Sequence, residues 1–255
     1  MLFRSGPVVN AARGVASMIE NAIQGFQSNI FVSFRPQTVQ AYAEGNNLRV
    51  KNLMYSLSKI SYLLLFMLSM PVIVELPNIL RLWLGEAIPD YTVSFTVLTL
   101  IIMVFSGLTS PLSQVVHATG KMKDYQIGTS LVVCSILPFA WIALKLGFSP
   151  NAVYIVCFIM TLVNQVVGMI LLKRIFNYQI SEYLKVVIWP CMIVTVLATV
   201  ITTFIHLLLP ETFYRLIIVG IVGVATTSLS SYYLVMNTNE KELVIGYVRR
   251  FLKKK

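Results

Sequence analysis

Residues 60–84 read ISYLLLFMLSMPVIVELPNILRLWL, a run whose only charges are Glu75 and Arg81. A helix crossing the hydrocarbon layer needs about 20 mostly apolar residues, so this stretch reads as a membrane span. Five further runs of the same kind follow, at 93–117, 125–146, 152–172, 186–209 and 213–235. The composition agrees: 57% of the chain is hydrophobic and 12% charged, with a mean hydropathy of +0.78. Soluble domains carry about 25% charged residues, and a soluble globular domain is thereby excluded. The expected fold is all-α, a polytopic integral membrane helix bundle.

A polar stretch at 6–34 precedes these runs and is also long enough to span, which brings the expected count to about seven. Its polar residues Asn10, Arg13, Ser17, Glu20, Gln24 and Gln27 are spaced 3, 4, 3, 4 and 3, which puts them on one face of a helix. Other faces carry Val8, Val15, Ile19, Ile23, Phe26 and Ile30. Ala11, Ala12, Gly14 and Ala16 permit close helix approach. A charge at the bilayer centre costs at least about 2.5 kcal/mol on insertion scales, so ionisable residues there face a bundle interior or a wet cavity. Two readings stand side by side. The six residues line a substrate cavity in which Arg13 meets an anionic group, or Arg13 and Glu20 satisfy each other or neighbouring helices inside the bundle.

The chain carries 20 Lys and Arg against 10 Asp and Glu, a net charge of +10. In a soluble protein that would raise nucleic-acid binding; here retention of cations on the cytoplasmic side explains it. With seven crossings, fifteen cations collect on one side: Arg35, Arg49, Lys51, Lys59, Lys121, Lys123, Lys173, Arg174, Lys185, Lys241, Arg249, Arg250 and Lys253 to Lys255. Arg4, Arg81, Lys145 and Arg215 fall on the other, and Arg13 lies within a span. The expected orientation is a start outside and a cytoplasmic C-terminus. The expected organisation is an atypical start at 1–5, a transmembrane domain at 6–235 and a basic tail at 236–255, with an amphipathic or plainly basic segment from Glu240 to Lys255 at the anionic inner surface. A first helix that enters from outside with no apolar anchor before it reads as the second half of a longer transporter. No signal-peptide pattern precedes it.

Pro71, Pro77, Pro111, Pro138 and Pro190 interrupt apolar runs and are expected to kink them. Such kinks are a device of secondary transporters and also a general habit of membrane helices. Glu75 is expected to form an interfacial ion pair with Arg81, and His117 and His206 to be interfacial polar residues. The tryptophans Trp83, Trp141 and Trp189 sit near span ends, as an aromatic belt does. Cys134, Cys157 and Cys191 lie in apolar runs with no C-x-x-C, so neither a disulfide nor a metal site is expected. The chain has no P-loop, no HExxH, no G-x-S-x-G and no Rossmann fingerprint. Neither an enzyme nor a cofactor is expected.

Four stretches occur in a recognisable order: Val9-Asn10-Ala11-Ala12-Arg13-Gly14-Val15-Ala16, then Pro36-Gln37 with Tyr42-Ala43-Glu44-Gly45, then Leu82-Trp83-Leu84-Gly85 with Pro89-Asp90-Tyr91-Thr92, then Ala118-Thr119-Gly120-Lys121-Met122-Lys123-Asp124-Tyr125-Gln126. On these the chain resembles the polysaccharide-flippase branch (O-antigen or capsule units) of the multidrug/oligosaccharidyl-lipid/polysaccharide exporter superfamily. The resemblance covers roughly the first half; the later spans are similar in hydropathy alone. It implies two lobes of helices around a cavity that opens alternately to either side, with this chain looking like the second lobe. The implied substrate is an undecaprenyl-pyrophosphate-linked oligosaccharide turned from the cytoplasmic to the periplasmic leaflet of the cell inner membrane. The implied partners are the lipid bilayer and a missing N-terminal lobe. A cavity-wall Arg13 suits a pyrophosphate, because guanidinium matches phosphate oxygens bidentately. The alternatives are a multidrug or organic-cation antiporter of the same superfamily, whose cavity should expose carboxylates, and a membrane-embedded glycan polymerase or transferase, which needs a larger outer loop than any here.

Overall fold

The computed structural model describes residues 6–86, 88–176, 178–236 and 241. Among the described residues every regular element is a helix. They are α1 (Gly6–Ala43), α2 (Asn47–Val74), α3 (Leu76–Leu84), α4 (Thr92–Thr119), α5 (Lys123–Lys145), α6 (Asn151–Ile175), α7 (Ile180–Tyr183), a π-helical turn (Leu184–Ile188), α8 (Trp189–Leu208) and α9 (Phe213–Leu234). Six helical stretches are long and apolar enough to cross a membrane: α2, α4, α5, α6, the continuous run Ile180–Leu208, and α9. The protein is a multi-pass membrane helix bundle. The atypical start at 1–5 and the basic tail, apart from Met236 and Lys241, lie outside the described residues.

The polar first helix is not one of those six, but it lies beside them. Val9, Ala12 and Ala16 of α1 cluster with Phe95 near the start of α4. Arg35 Nε donates to Gln114 Oε1 near the end of α4 at 3.3 Å. Helix α1 therefore runs parallel to α4 along its length and shares its depth. Ala12 and Ala16 are fully buried at this contact, while Ala11 and Gly14, which the sequence equally offers for close approach, are exposed.

Helix α4 is the axis of the bundle. No residue from Thr92 to Val116 is exposed, and α1, α2 and α6 all pack on it. Helix α6 also runs parallel to α4: Ser94 donates to Asn151 at 2.8 Å at one end, and Thr109 hydrogen-bonds Gln165 further along. The turn after α4 needs a left-handed residue, and Gly120 supplies it at φ 71° with its N–H on His117 O. Glycine takes that conformation without the Cβ penalty. Helix α5 packs on α6 and leaves Ile127, Leu131, Leu137 and Trp141 exposed, which is how an apolar helix presents itself to lipid.

Two sequence expectations are revised here. The second span begins at Asn47, where the Asn46 side chain caps the backbone N–H of Arg49 at 3.0 Å. Lys59 consequently lies inside α2 and is 3% exposed; it is not a loop cation. The prolines also divide in effect. Pro71, Pro111, Pro138 and Pro36 lie inside continuous helices, whereas Pro77 stands in the first turn of α3 and Pro190 in the first turn of α8. At Pro77, just past the break at Glu75, proline is tolerated because a first-turn N–H has no helical acceptor; Pro190 instead follows the π-helical turn Leu184–Ile188 within the continuous run Ile180–Leu208.

Helices α8 and α9 form a hairpin that packs on α2. The buried residues of α9 are Arg215, Val219, Gly223, Thr227 and Ser231, one every fourth position. Small residues at that spacing let backbones approach. A Cβ added at Gly223 would lie 2.7 Å from Pro71 Cγ, a ring that cannot swing aside. Gly223→Leu should therefore lower the stability of the protein by roughly 1–3 kcal/mol, the range for overpacking. Gly220→Leu, with nothing within 4 Å of its Cβ position, should leave it unchanged. Thermal unfolding of both variants in detergent checks this, and equal midpoints would show that α9 does not press on Pro71.

Candidate functional site

The six polar residues of α1 do share one side of the helix, and that side adjoins the buried face instead of opposing it. Asn10, Arg13 and Gln24 are exposed, and Ser17 and Glu20 are half-buried. Gln27 is 3% exposed and donates from Nε2 to Ser61 Oγ of α2 at 2.5 Å. It belongs to the packing of α1 on α2 and lines no open space. Among the described residues no ion pair joins Arg13 to Glu20. Both lie within electrostatic reach of the Tyr154 hydroxyl on α6, and Arg13 also of Cys157. The stripe therefore looks across α4 toward α6.

Helix α4 forms the floor between those two walls. Ser106, Ser110 and Ser113 are half-buried and spaced 4 and 3, one face of a helix. On that wheel they fall between Thr109, which bonds α6, and Gln114, which meets α1. Each hydroxyl donates to its own helix, to Met103 O, Ser106 O and Ser110 O respectively. Their lone pairs stay free to accept, so the floor is wettable without holding an orphaned donor. At its head Tyr154 packs on Phe95, with ring centroids 4.5 Å apart. A groove thus follows α4 between α1 and α6: near its head Arg13, Ser17 and Glu20 stand across from Tyr154 and Cys157 over Phe95, and the serine hydroxyls lie further along, from the level of Gln24 onward. The serine row is a signal the sequence carries in its spacing; it goes unnoticed because serine is unremarkable inside an apolar span.

Two hollows lie elsewhere. One, about 350 Å³, is a surface dip at the start of α2 lined by Asn46, Arg49, Asn52 and Ser56. Another, about 130 Å³, is apolar, between Phe105, Leu108, Thr161 and Met192. Among the described residues no group of three His, Cys, Asp or Glu could hold a metal ion.

A second polar assembly gathers around a buried carboxylate at the α8–α9 turn and overturns the expected Glu75–Arg81 pair. Glu75, in the break between α2 and α3, is 1% exposed. His206 Nδ1 lies 2.7 Å from its Oε1, Asn78 Nδ2 donates to its Oε2 at 2.6 Å, and Arg215 Nε lies 3.1 Å from Oε1. Arg81 instead stands 3.8 Å from Glu211, and both are well exposed. The counterpart of Glu75 is thus Arg215, 6% exposed, with His206 beside it near the end of α8. Sequence proximity favoured Arg81, one or two turns along the same run. The chain reverses between α8 and α9 and delivers Arg215 from far away in sequence.

The four stretches that carry the resemblance fall mainly at chain reversals. Tyr42 to Gly45 ends α1, Leu82 to Gly85 ends α3, Pro89 to Thr92 leads into α4, and Ala118 to Gln126 turns α4 into α5. Comparison with family models, with curated proteins and with solved structures finds no match for the chain.

Two measurements test this geometry. With the native cysteines replaced, single cysteines at Arg13 or Gln24 should react with a membrane-impermeant maleimide, and one at Ile23, 8% exposed, should not. Uniform protection of the α1 positions would mean that the groove is filled. Separately, Arg215→Met should destabilise the protein by about 3–5 kcal/mol, the effect of leaving a buried charge unpaired. Arg81→Met should change stability by less than about 1 kcal/mol, as for an exposed pair; comparable losses in thermal midpoint would place the buried charge elsewhere.

Proposed function

We propose that the protein is a flippase that moves a lipid-linked oligosaccharide from the cytoplasmic to the periplasmic leaflet for cell-surface polysaccharide synthesis. The observation that carries this reading is the open polar face of α1. Asn10, Arg13 and Gln24 are exposed on a helix that runs beside α4 at the depth of the bilayer, where lipid tails would not solvate them. A face of that kind suits a hydrated path, closed on its far side by further protein such as the N-terminal lobe that the sequence resemblance implies.

Within the path the residues divide the work. Arg13 offers the pyrophosphate a bidentate, permanently charged partner. Gln24, Asn10 and the α4 hydroxyls offer exchangeable hydrogen bonds to sugar hydroxyls, and Glu20 keeps the wall from binding the anion too firmly to release it. The prenyl chain stays in the lipid while the head group crosses, and alternating access opens the groove first to one side and then to the other. In this reading the chain lies in the cell inner membrane with its C-terminus cytoplasmic, as the cation distribution favours, and it does no covalent chemistry. A drug-antiporter reading would put Glu20, half-buried on the same wall, in the leading role.

The test is delivery of lipid-linked glycan to the outer leaflet in cells that depend on this gene. Arg13→Ala should reduce delivery about tenfold or more, the effect of losing one charge-assisted hydrogen bond to the substrate, with the amount of protein in the membrane unchanged. Arg13→Lys should recover part of it. Delivery unchanged in Arg13→Ala would sink the proposed role, and loss of drug resistance in Glu20→Gln with normal glycan delivery would favour the antiporter.

A further inference from the structure

Helices α6 and α8 stand side by side with little direct packing: α6 is held by α4 and α5, and α8 by α9 and α2. Between them lies the apolar hollow of about 130 Å³, with Phe105 and Leu108 of α4 behind it, Leu162 and Gln165 of α6 on one side, and Ile188 and Met192 on the other. The polar groups along its wall are turned away from it. Thr161 Oγ1 donates to Cys157 O of its own helix at 2.9 Å, and Gln165 turns its amide toward Thr109 and Tyr183. An apolar cavity stays dry, and a drug-sized ligand takes about 300 Å³ or more. At membrane depth, with Leu162 exposed on its rim, the hollow suits a length of hydrocarbon chain.

Two lysines stand at the foot of this cleft. The chain leaves α6 at Ile175 and begins α7 at Ile180, so the end of α6 and the start of the next run lie together. Lys173 is on the last turn of α6, and Lys185 is on the π-helical turn, three residues before Ile188. Both are exposed, and among the described residues neither has an ion-pair partner. The one acid between them in the sequence, Glu182, is taken by Lys51 of α2 at 3.0 Å. Arg174 lies one turn on from Leu171, which meets Gly128 of α5, and so belongs to the α5 side of the helix. Lys173 could serve the α6 dipole alone, because a cation is favoured at a helix C-terminus. Lys185 has no such explanation: it lies near the start of the continuous run Ile180–Leu208, where the dipole gives a cation no support.

The surface around the lysines is apolar. Val166 and Ile170 on the approach to Lys173 are exposed, and so are Leu184 and Trp189 beside Lys185. From the hollow to the end of the bundle the order is hydrocarbon first and cations after, the order in which a phospholipid presents its chain and its phosphate. Lysines at such a place lay their stems along the apolar surface and carry the amine to the headgroup layer. A zwitterionic headgroup brings its own cation to the phosphate. An anionic one leaves the phosphate charge to be met by the protein.

We propose that the cleft between α6 and α8 binds an anionic phospholipid, with one acyl chain lying over α4 in the hollow and the phosphate held by Lys173 and Lys185. The bound lipid joins α6 to the Ile180–Leu208 run where protein packing does not. Nothing here depends on what the α1 groove carries, so this site and the flippase reading stand or fall separately.

The experiment uses the full chain with Trp83→Phe and Trp141→Phe, which leaves Trp189, one turn from Lys185, as the only tryptophan. The protein is placed in phosphatidylcholine nanodiscs containing a minor fraction of phosphatidylglycerol brominated in its acyl chains. Quenching of Trp189 is compared with that by equally brominated phosphatidylcholine. Phosphatidylglycerol should be preferred about twentyfold, the product of two lysines that contribute about fivefold each. Lys173→Gln and Lys185→Gln should each cut the preference about fivefold. Lys121→Gln, which alters an exposed cation with no ion pair among the described residues on the α4–α5 turn, should leave it unchanged. Equal quenching by the two lipids overturns the site, as does a preference that survives the double exchange of Lys173 and Lys185, or one that falls as far in Lys121→Gln. Displacement of the brominated lipid by undecaprenyl phosphate ahead of unlabelled phosphatidylglycerol would give the cleft to a prenyl chain and overturn it too.

Discussion

A polar side chain at the depth of lipid tails has no water to turn to, so its partner must come from the protein. Much of the bundle can be understood as the settlement of that demand. Gln27 of α1 reaches Ser61 of α2, and Thr109 of α4 reaches Gln165 of α6. Lys59 of α2 donates to the carbonyl of Val235, the C-cap of α9, and Glu75 collects His206, Asn78 and Arg215. Apolar contact cannot choose among helix partners well, because lipid tails are as apolar as leucine. These polar pairs supply the choice, and they fix which helix lies beside which.

Helix α9 shows the rule most fully. It lies antiparallel to α2, charged at both ends of the contact and small-sided between. Arg215 meets Glu75 at one end and Val235 O meets Lys59 at the other. Gly223 and Pro71 touch between them. The buried Lys59 sits at the negative end of the α9 dipole, the favourable end for a cation. Close packing by small residues brings the helices near enough for these polar contacts, and the polar contacts hold the small residues in register.

The spans were legible because an apolar run of span length has one dominant explanation. Chain direction and partner choice were much less so. Counting cations assumes that each marks a loop, which holds for Lys121 and misleads for Lys59 and Arg215, whose charges are consumed inside the bundle. The period of four in Arg215, Val219, Gly223, Thr227 and Ser231 was written in the sequence, but it does not say which helix it faces. Glu75 and Arg81 look paired because they are local; the actual partner, Arg215, is set by a hairpin reversal that no local pattern encodes. For the stripe on α1, periodicity gave the face correctly for Asn10, Arg13, Ser17, Glu20 and Gln24. It could not show that Gln27, one step further along the same line, turns inward to Ser61.

The two polar assemblies differ in the respect that separates a fastening from a site. Around Glu75 charge is met by charge within the chain, in Arg215, and the carboxylate's remaining oxygens are met by Asn78 and His206. Along α1 the reverse holds: Arg13, Glu20 and Gln24 lie at membrane depth beside α4, yet the bundle brings no ion pair across to join Arg13 to Glu20. A helix whose only purpose was packing would be stabilised by apolar residues at those positions, as α5 and α8 illustrate. Keeping polar groups there therefore requires a counterpart outside this set of helices, either water with its solutes or another polar protein surface. Either answer makes the α1 face a surface that this set of helices leaves to something polar. The parallel course of α1, α4 and α6 carries that face alongside α4 from one end of the bundle toward the other.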